Sequence, residues 1–138
     1  MTLKLQVVRQ IPPPEQQNPI YQYITIENLP NVPDEVFTDI ELNDTLDYIE
    51  TRLVALEIAI KKLRSKGQLS FLGIDIVEIA KAIVVGNITI EDANKLFYFG
   101  KKSIDNIFRI KVLMSNLNLR ITDCRLNDFT YYMKAEKQ

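Results

Sequence analysis

Histidine and tryptophan are absent from this chain of 138 residues, cysteine occurs once, at Cys124, and glycine only four times. Without histidine, general-base and nucleophile arrangements would have to rest on carboxylates, lysines, tyrosines or Cys124. A single cysteine excludes an intrachain disulfide, and together with the missing histidines it excludes the usual zinc sets. The glycines, at 67, 73, 86 and 100, match neither the Walker nor the dinucleotide-binding pattern. No apolar run approaches the roughly 18 residues of a membrane span. The most apolar stretch, Ile74 to Val85, is interrupted by Asp75, Glu78 and Lys81. Residues Met1 to Arg9 alternate in character, where a signal peptide would place an apolar block behind a basic region. The expected setting is therefore cytoplasmic or another reducing intracellular compartment, or a virion if the chain is a particle component.

The composition that remains, 46% hydrophobic and 25% charged, is that of a globular protein, and the length suits a single domain over 1–138. Charge is unevenly spread: residues 1–60 hold ten acids and three bases, residues 61–138 eight acids and fourteen bases. The chain is electrically bipolar, which favours attraction between copies of it.

Leu42, Leu46, Ile49, Leu53, Leu56, Ile60 and Leu63 follow one another in alternating steps of four and three, the spacing of a heptad seam. Thr38-Asp39-Ile40-Glu41 matches a capping box, acids cluster near the start, and Lys61, Lys62, Arg64 and Lys66 near the end, with Gly67 beyond. This pattern predicts one long helix over about 39–66. Its flanks are polar from Leu42 to Leu53 and apolar at Val54, Ala55, Ile58 and Ala59, so the first half reads as an interface and the second as core. Two or three shorter helices are expected over about 75–116, opened by Asp75, Thr89 and Ser103 and punctuated by Gly86 and Gly100.

Strand-like alternation marks both ends. Leu3, Leu5 and Val7, then Ile20 to Ile26, predict an N-terminal hairpin over 3–27 across Pro12, Pro13 and Pro14. Asn28 to Pro33 reads as an extended connector or arm. Leu117, Leu119 and Ile121, the turn dipeptide Asn127-Asp128, and Phe129, Tyr131 and Met133 predict a C-terminal hairpin over 117–134. The expected fold is α+β: a mainly helical centre led by the long helix, with the two hairpins forming a small antiparallel sheet. Three regions are expected within the single domain: strand-rich 1–37 with its proline-rich arm, helical 38–116, and the C-terminal hairpin 117–138.

Candidate chemistry is thin. Asp44, Asp47 and Glu50 lie three apart, but an acidic helix start explains them more simply than a cation site. Cys124 on an alternating strand reads as a small apolar filler. No catalytic residue, metal or cofactor is expected. The leading expectation is a non-enzymatic structural or assembly subunit, of the kind found in viral or other large particles. It would self-associate through the seam residues and contact other protein subunits with its arm and with Tyr21 and Tyr23. The alternative is a small oligomeric nucleic-acid-binding regulator. It would use a helix-turn-helix-like unit over 76–99 and the positive charges of Lys95, Lys101, Lys102, Arg109 and Lys111, although Glu91 and Asp92 at the second helix's start would face phosphates. A membrane partner is not expected.

Overall fold

The computed structural model describes residues 3–98 and 100–138. Its frame is a sheet of six strands: β1 (Lys4–Val8), β2 (Tyr21–Thr25), β3 (Phe37–Glu41), β4 (Leu63–Ile74), β5 (Leu119–Asn127) and β6 (Thr130–Lys137). Their order is β2-β1-β3-β4-β6-β5, with the first four parallel and β6 antiparallel to both of its neighbours. Among the described residues four α-helices accompany them: α1 (Arg52–Lys62), α2 (Ile76–Val84), α3 (Ile90–Tyr98) and α4 (Ile107–Asn116). This is a Rossmann-like α/β fold, and it corrects the expected α+β arrangement with a helical centre and a small antiparallel sheet.

The long helix over 39–66 is not formed. Its sequence divides into β3, a 3-10 turn over Thr45–Tyr48, the short α1 and the first residues of β4. The heptad spacing arose because the pieces face one core: Leu42, Leu46, Leu56 and Leu63 are fully buried although they sit on four different local structures. A buried strand end and the turn after it place apolar side chains inward as well as a helix does, so spacing alone does not identify the element. The pairing of β3 with β4 shifts between Phe37 and Asp39, which turns both Phe37 and Ile40 inward and hides the strand's period of two. The carbonyl end of α1 is capped from β6, while its own Lys62 reaches other parts of the chain. Lys62 donates to Pro30 O at 3.1 Å and pairs with Asp34 at 2.6 Å, and Lys137 from β6 donates to the carbonyls of Ile60 and Leu63.

The N-terminal strands pair parallel, not as a hairpin. Residues 9–20, stiffened by prolines, form a crossover with one 3-10 turn at Pro14–Gln16, long enough to carry the chain back to the start of the sheet. The segment expected to be an extended arm is a second 3-10 turn, Ile26–Asn31, whose Leu29 is buried against α1. The C-terminal hairpin is formed as expected, with Asp128 at φ 55° in its turn. The helices after β4 are three short ones. Asp75 caps α2 as expected, but α4 is capped by Asn106, not Ser103.

One face of the sheet, through Leu5, Val7, Phe37, Ile40, Leu69, Phe71, Tyr131, Met133 and Ala135, joins α1, α4 and Leu29 in a single core. The opposite face is polar. A rung of paired residues, Tyr21, Lys4, Asp39, Gln68, Glu136 and Arg120, crosses all six strands on it, half-buried or exposed throughout. Parallel strands usually have both faces covered, and here the core lies on one side only.

Candidate active site at the carboxyl edge of the sheet

In open α/β sheets the working crevice lies beyond the carboxyl ends of the strands, where the chain's direction of progress across the sheet reverses. Here that point falls between β1, which leads outward to β2, and β3, which leads the other way to β4. Asn43 stands there in a left-handed conformation, φ 53°. Its carboxamide donates to Gln6 Oε1 at 2.7 Å and to Val7 O at 3.2 Å, while Gln6 donates to the Glu41 carboxylate. The gap between the two strand ends is thus bridged by the protein's own side chains.

Around this bridge an aromatic ring sits between two cations. The Arg9 guanidinium lies 3.7 Å from the Tyr48 ring centroid and 3.8 Å from the Asp44 carboxylate. The Lys101 ammonium lies 3.4 Å from the Tyr48 hydroxyl, to which it donates, and 5.2 Å from the ring centroid. Such contacts contribute about 0.5–1 kcal/mol each at exposed positions. They join the ends of β1 and β3 to the segment after α3.

Below this surface the arrangement is rigid. Asp47 accepts from the Ile74 amide at 2.9 Å and from Arg52 at 3.1 Å, and Arg52 also donates to the Tyr131 hydroxyl and to Ser103. The one hydroxyl hydrogen of Ser103 is shared between the carbonyls of Leu46 and Ile49, and the amides of Lys102 and Ser103 both donate to Asp47 O. Burial pushes the Asp47 carboxyl up, outweighing the opposing pull of the Ile74 amide and Arg52. Burial likewise pushes the Tyr131 phenol up, to about 12. This network ties the 3-10 turn, α1, β4, β6 and the 101–104 segment together, so Tyr48 and Lys101 are held from behind.

The residues singled out from the sequence are scattered over this frame. Leu42, Leu46, Leu56 and Leu63 are core, Ile49 and Ile60 half-buried, and Leu53 is 44% exposed, so they make no common stripe. Tyr21 and Tyr23 lie on the polar face of the edge strand β2, ring centroids 6.4 Å apart, with the Tyr21 phenol pushed up by burial and by Glu41. Lys95 is on α3, while Arg109 pairs with Asp105 and Lys111 lies 5.8 Å from the Phe108 ring, both on α4. Only Lys101 reaches the carboxyl edge, and Lys102 follows it. The α2–α3 unit is a helical hairpin, but its last expected residue, Phe99, lies outside the described residues. Arg9, Asn43 and Tyr48 carry no motif. Arg9 and Asn43 are marked only as polar residues just past an apolar stretch, as at any strand end, and Tyr48, inside the 3-10 turn, is not marked at all.

No protein-family model matches the sequence, and no curated protein matches it either. Solved structures do match the fold. One is an S-adenosylmethionine-dependent methyltransferase of Thermotoga maritima, described as a possible histamine N-methyltransferase. It is 16% identical, with a TM-score of 0.61 over 86% of this chain and 63% of that one. An O-methyltransferase family protein of Burkholderia thailandensis is 12% identical, with a TM-score of 0.61 over 86% of this chain and 36% of that one. An S-adenosylmethionine-dependent methyltransferase of Aquifex aeolicus is 9% identical, with a TM-score of 0.56 over 87% of this chain and 56% of that one. The chain therefore spans between about a third and two thirds of the length of these neighbours.

This shared fold is that of proteins described as methyltransferases. It overturns the expectation of a non-enzymatic assembly subunit of viral, structural or coiled-coil character, which rested on a helix that does not form. The nucleic-acid alternative falls with it; its five cations are spread over α3, the segment after it and α4. Among the described residues no helix is long and apolar enough to cross a membrane.

S-adenosylmethionine is the cofactor that these neighbours imply, and the residues here do not fit it in the manner of a nucleotide fold. Such folds let backbone approach the ligand at glycines after the first strand and aim a helix N-terminus at it. Here β1 runs into Arg9-Gln10-Ile11-Pro12-Pro13-Pro14, three of whose members lack an N–H, and only a 3-10 turn follows. No glycine precedes Gly67. The polar side chains at the crevice already satisfy one another.

Proposed function

We propose that this chain is an enzyme module of the methyltransferase class, transferring a methyl group to a small acceptor at the carboxyl edge of its sheet. The observation that carries this reading is the strand order, with the antiparallel β6 wedged between β4 and β5 and a reversal point between β1 and β3. The polar group at that point, Arg9, Asn43, Asp44, Tyr48 and Lys101, supports it. Because the first-strand turn offers no glycine cradle, the grip expected on the methyl donor is weak, and about 1 mM, equivalent to about −4 kcal/mol, is the concentration at which to look for it.

The test is a calorimetric titration of S-adenosylhomocysteine into the full chain, repeated with Arg9→Ala. Saturable binding near that range, weakened in the variant, supports the reading. Absence of saturable binding at ten times that concentration, with a native circular dichroism spectrum, overturns it.

A further inference from the structure

Next to the carboxyl edge lies a cavity of about 360 Å³, walled by Ile76 at the start of α2, Phe97 and Tyr98 at the end of α3, and Lys101, Lys102 and Ile104. Its volume is in the range that holds a small organic ligand. The walls divide by chemistry. Ile76, Phe97, Tyr98 and Ile104 are apolar or aromatic, and the rings of Phe97 and Tyr98 meet edge to face at 83°. The charged lining groups are both cations. Lys101 uses one donor on Tyr48, and Lys102 is exposed and forms no ion pair among the described residues. Among the described residues no carboxylate lines the cavity; the two nearest in sequence are engaged elsewhere, Asp75 by the Val77, Glu78 and Ile107 amides and Asp105 by Arg109.

The lysine pair is also fixed in place. The amides of Lys102 and Ser103 donate to Asp47 O at 2.8 and 3.1 Å, and Ser103 is held by Arg52 and two carbonyls. Lys101 belongs both to this cavity and to the cluster around Tyr48, so a molecule lying in the cavity ends beside the strand-end crevice.

We infer that the cavity is the acceptor site and that it takes a small aromatic carboxylate, ring against Ile76, Phe97 and Ile104, carboxylate between Lys101 and Lys102. This rests on the reading of the carboxyl edge as the working site, and it names the acceptor's class. An aromatic body removes apolar wall from water, and an acid gains charge-assisted bonds that a neutral isostere does not make.

The experiment uses 1-naphthoate and its neutral counterpart 1-naphthamide as probes, titrated into the full chain by fluorescence, with contact residues located by NMR shift changes. The expected result is saturable naphthoate binding, at least tenfold tighter than the amide, with shifts at Tyr98, Lys101, Lys102 and Ile104. Lys101→Met and Lys102→Met each weaken the acid about tenfold and leave the amide unchanged. Equal binding of acid and amide, no saturable binding of the acid, or shifts confined to other surfaces would overturn the inference. S-adenosylhomocysteine separates the two proposals: naphthoate binding with no S-adenosylhomocysteine binding overturns the methyl-transfer reading and leaves a site for an aromatic acid, and S-adenosylhomocysteine binding with no naphthoate binding overturns the acceptor assignment alone.

Discussion

Arg52 in the first turn of α1 donates to the Tyr131 hydroxyl on β6 across 2.7 Å, with both side chains buried and 79 positions of chain between them. The pair fastens the helix to the far half of the sheet directly behind the carboxyl edge. Because the phenol's pKa is pushed from 10.0 to about 12, the folded protein holds its proton more tightly than the unfolded chain does. That contribution is complete below about pH 10 and is lost as pH rises through about 12. Two pKa units correspond to roughly 3 kcal/mol. Urea denaturation from pH 8 to pH 12 is expected to show an alkaline fall in stability that is shallower in Tyr131→Phe. At neutral pH that variant is less stable by about 1–3 kcal/mol, since Arg52 keeps a buried donor without its partner.

Gly73 lies under the same pair. A Cβ placed on it would stand 2.6 Å from the Tyr131 hydroxyl and 2.7 Å from Asp47 Oδ1. Neither group has room to retreat, because each is bonded to Arg52. Gly73→Ala is expected to cost about 3 kcal/mol, at the upper end of the range for overpacking. At Gly86 the same change meets no atom within 4 Å, and only its φ of 80° resists, so Gly86→Ala costs about 1 kcal/mol. Midpoints of urea unfolding for the two variants decide the comparison.

Asp75 fastens both ends of the α2–α3 excursion that walls the cavity. Its Oδ1 accepts from the amides of Val77 and Glu78, and its Oδ2 accepts from the buried Ile107 amide at the start of α4. Removing it uncaps α2 and leaves the Ile107 amide without a partner. Asp75→Ala is expected to destabilise by about 2–4 kcal/mol, a cap loss plus a buried orphan donor. Hydrogen exchange should accelerate first at Val77, Glu78 and Ile107. Protection unchanged at Ile107 would show that Asp75 holds α2 alone.

The elements legible in the sequence are those whose signals are local. Asp75 and Thr89 announce helix starts within one turn, and the Thr89 hydroxyl does accept from the Asp92 amide. The Asn127-Asp128 turn and its flanking alternation announce a hairpin. What stayed hidden depends on distant partners. The alternation Leu69, Phe71, Gly73 in β4 is readable in hindsight, yet nothing local says that this strand lies between β3 and β6. Parallel and antiparallel pairing of β1 with β2 likewise share one alternation, and only the need to cover the core face selects the crossover. The candidate site is less legible still. Arg9, Asn43, Tyr48 and Lys101 meet because two strand ends, a 3-10 turn and a loop converge, and no spacing in the chain records that convergence.

The heptad seam offers the sharpest contrast between the chain as read and the chain as folded. A helix packed along that seam would need Leu46 and Leu53 alike, one turn-pair apart on the same stripe. In the fold Leu46 is fully buried in the turn before α1, within the core formed with β3 and β4, whereas Leu53 is 44% exposed on the outer surface of α1. Leu46→Glu places a carboxylate among buried apolar side chains, and is expected to cost at least about 4 kcal/mol, enough to unfold a domain of ordinary stability. Leu53→Glu leaves the carboxylate in water and is expected to stay within about 1 kcal/mol of the parent. Circular dichroism melts of the two variants separate the cases: equal damage would restore the continuous helix, and damage at Leu46 alone follows from a strand, a turn and a short helix sharing one core.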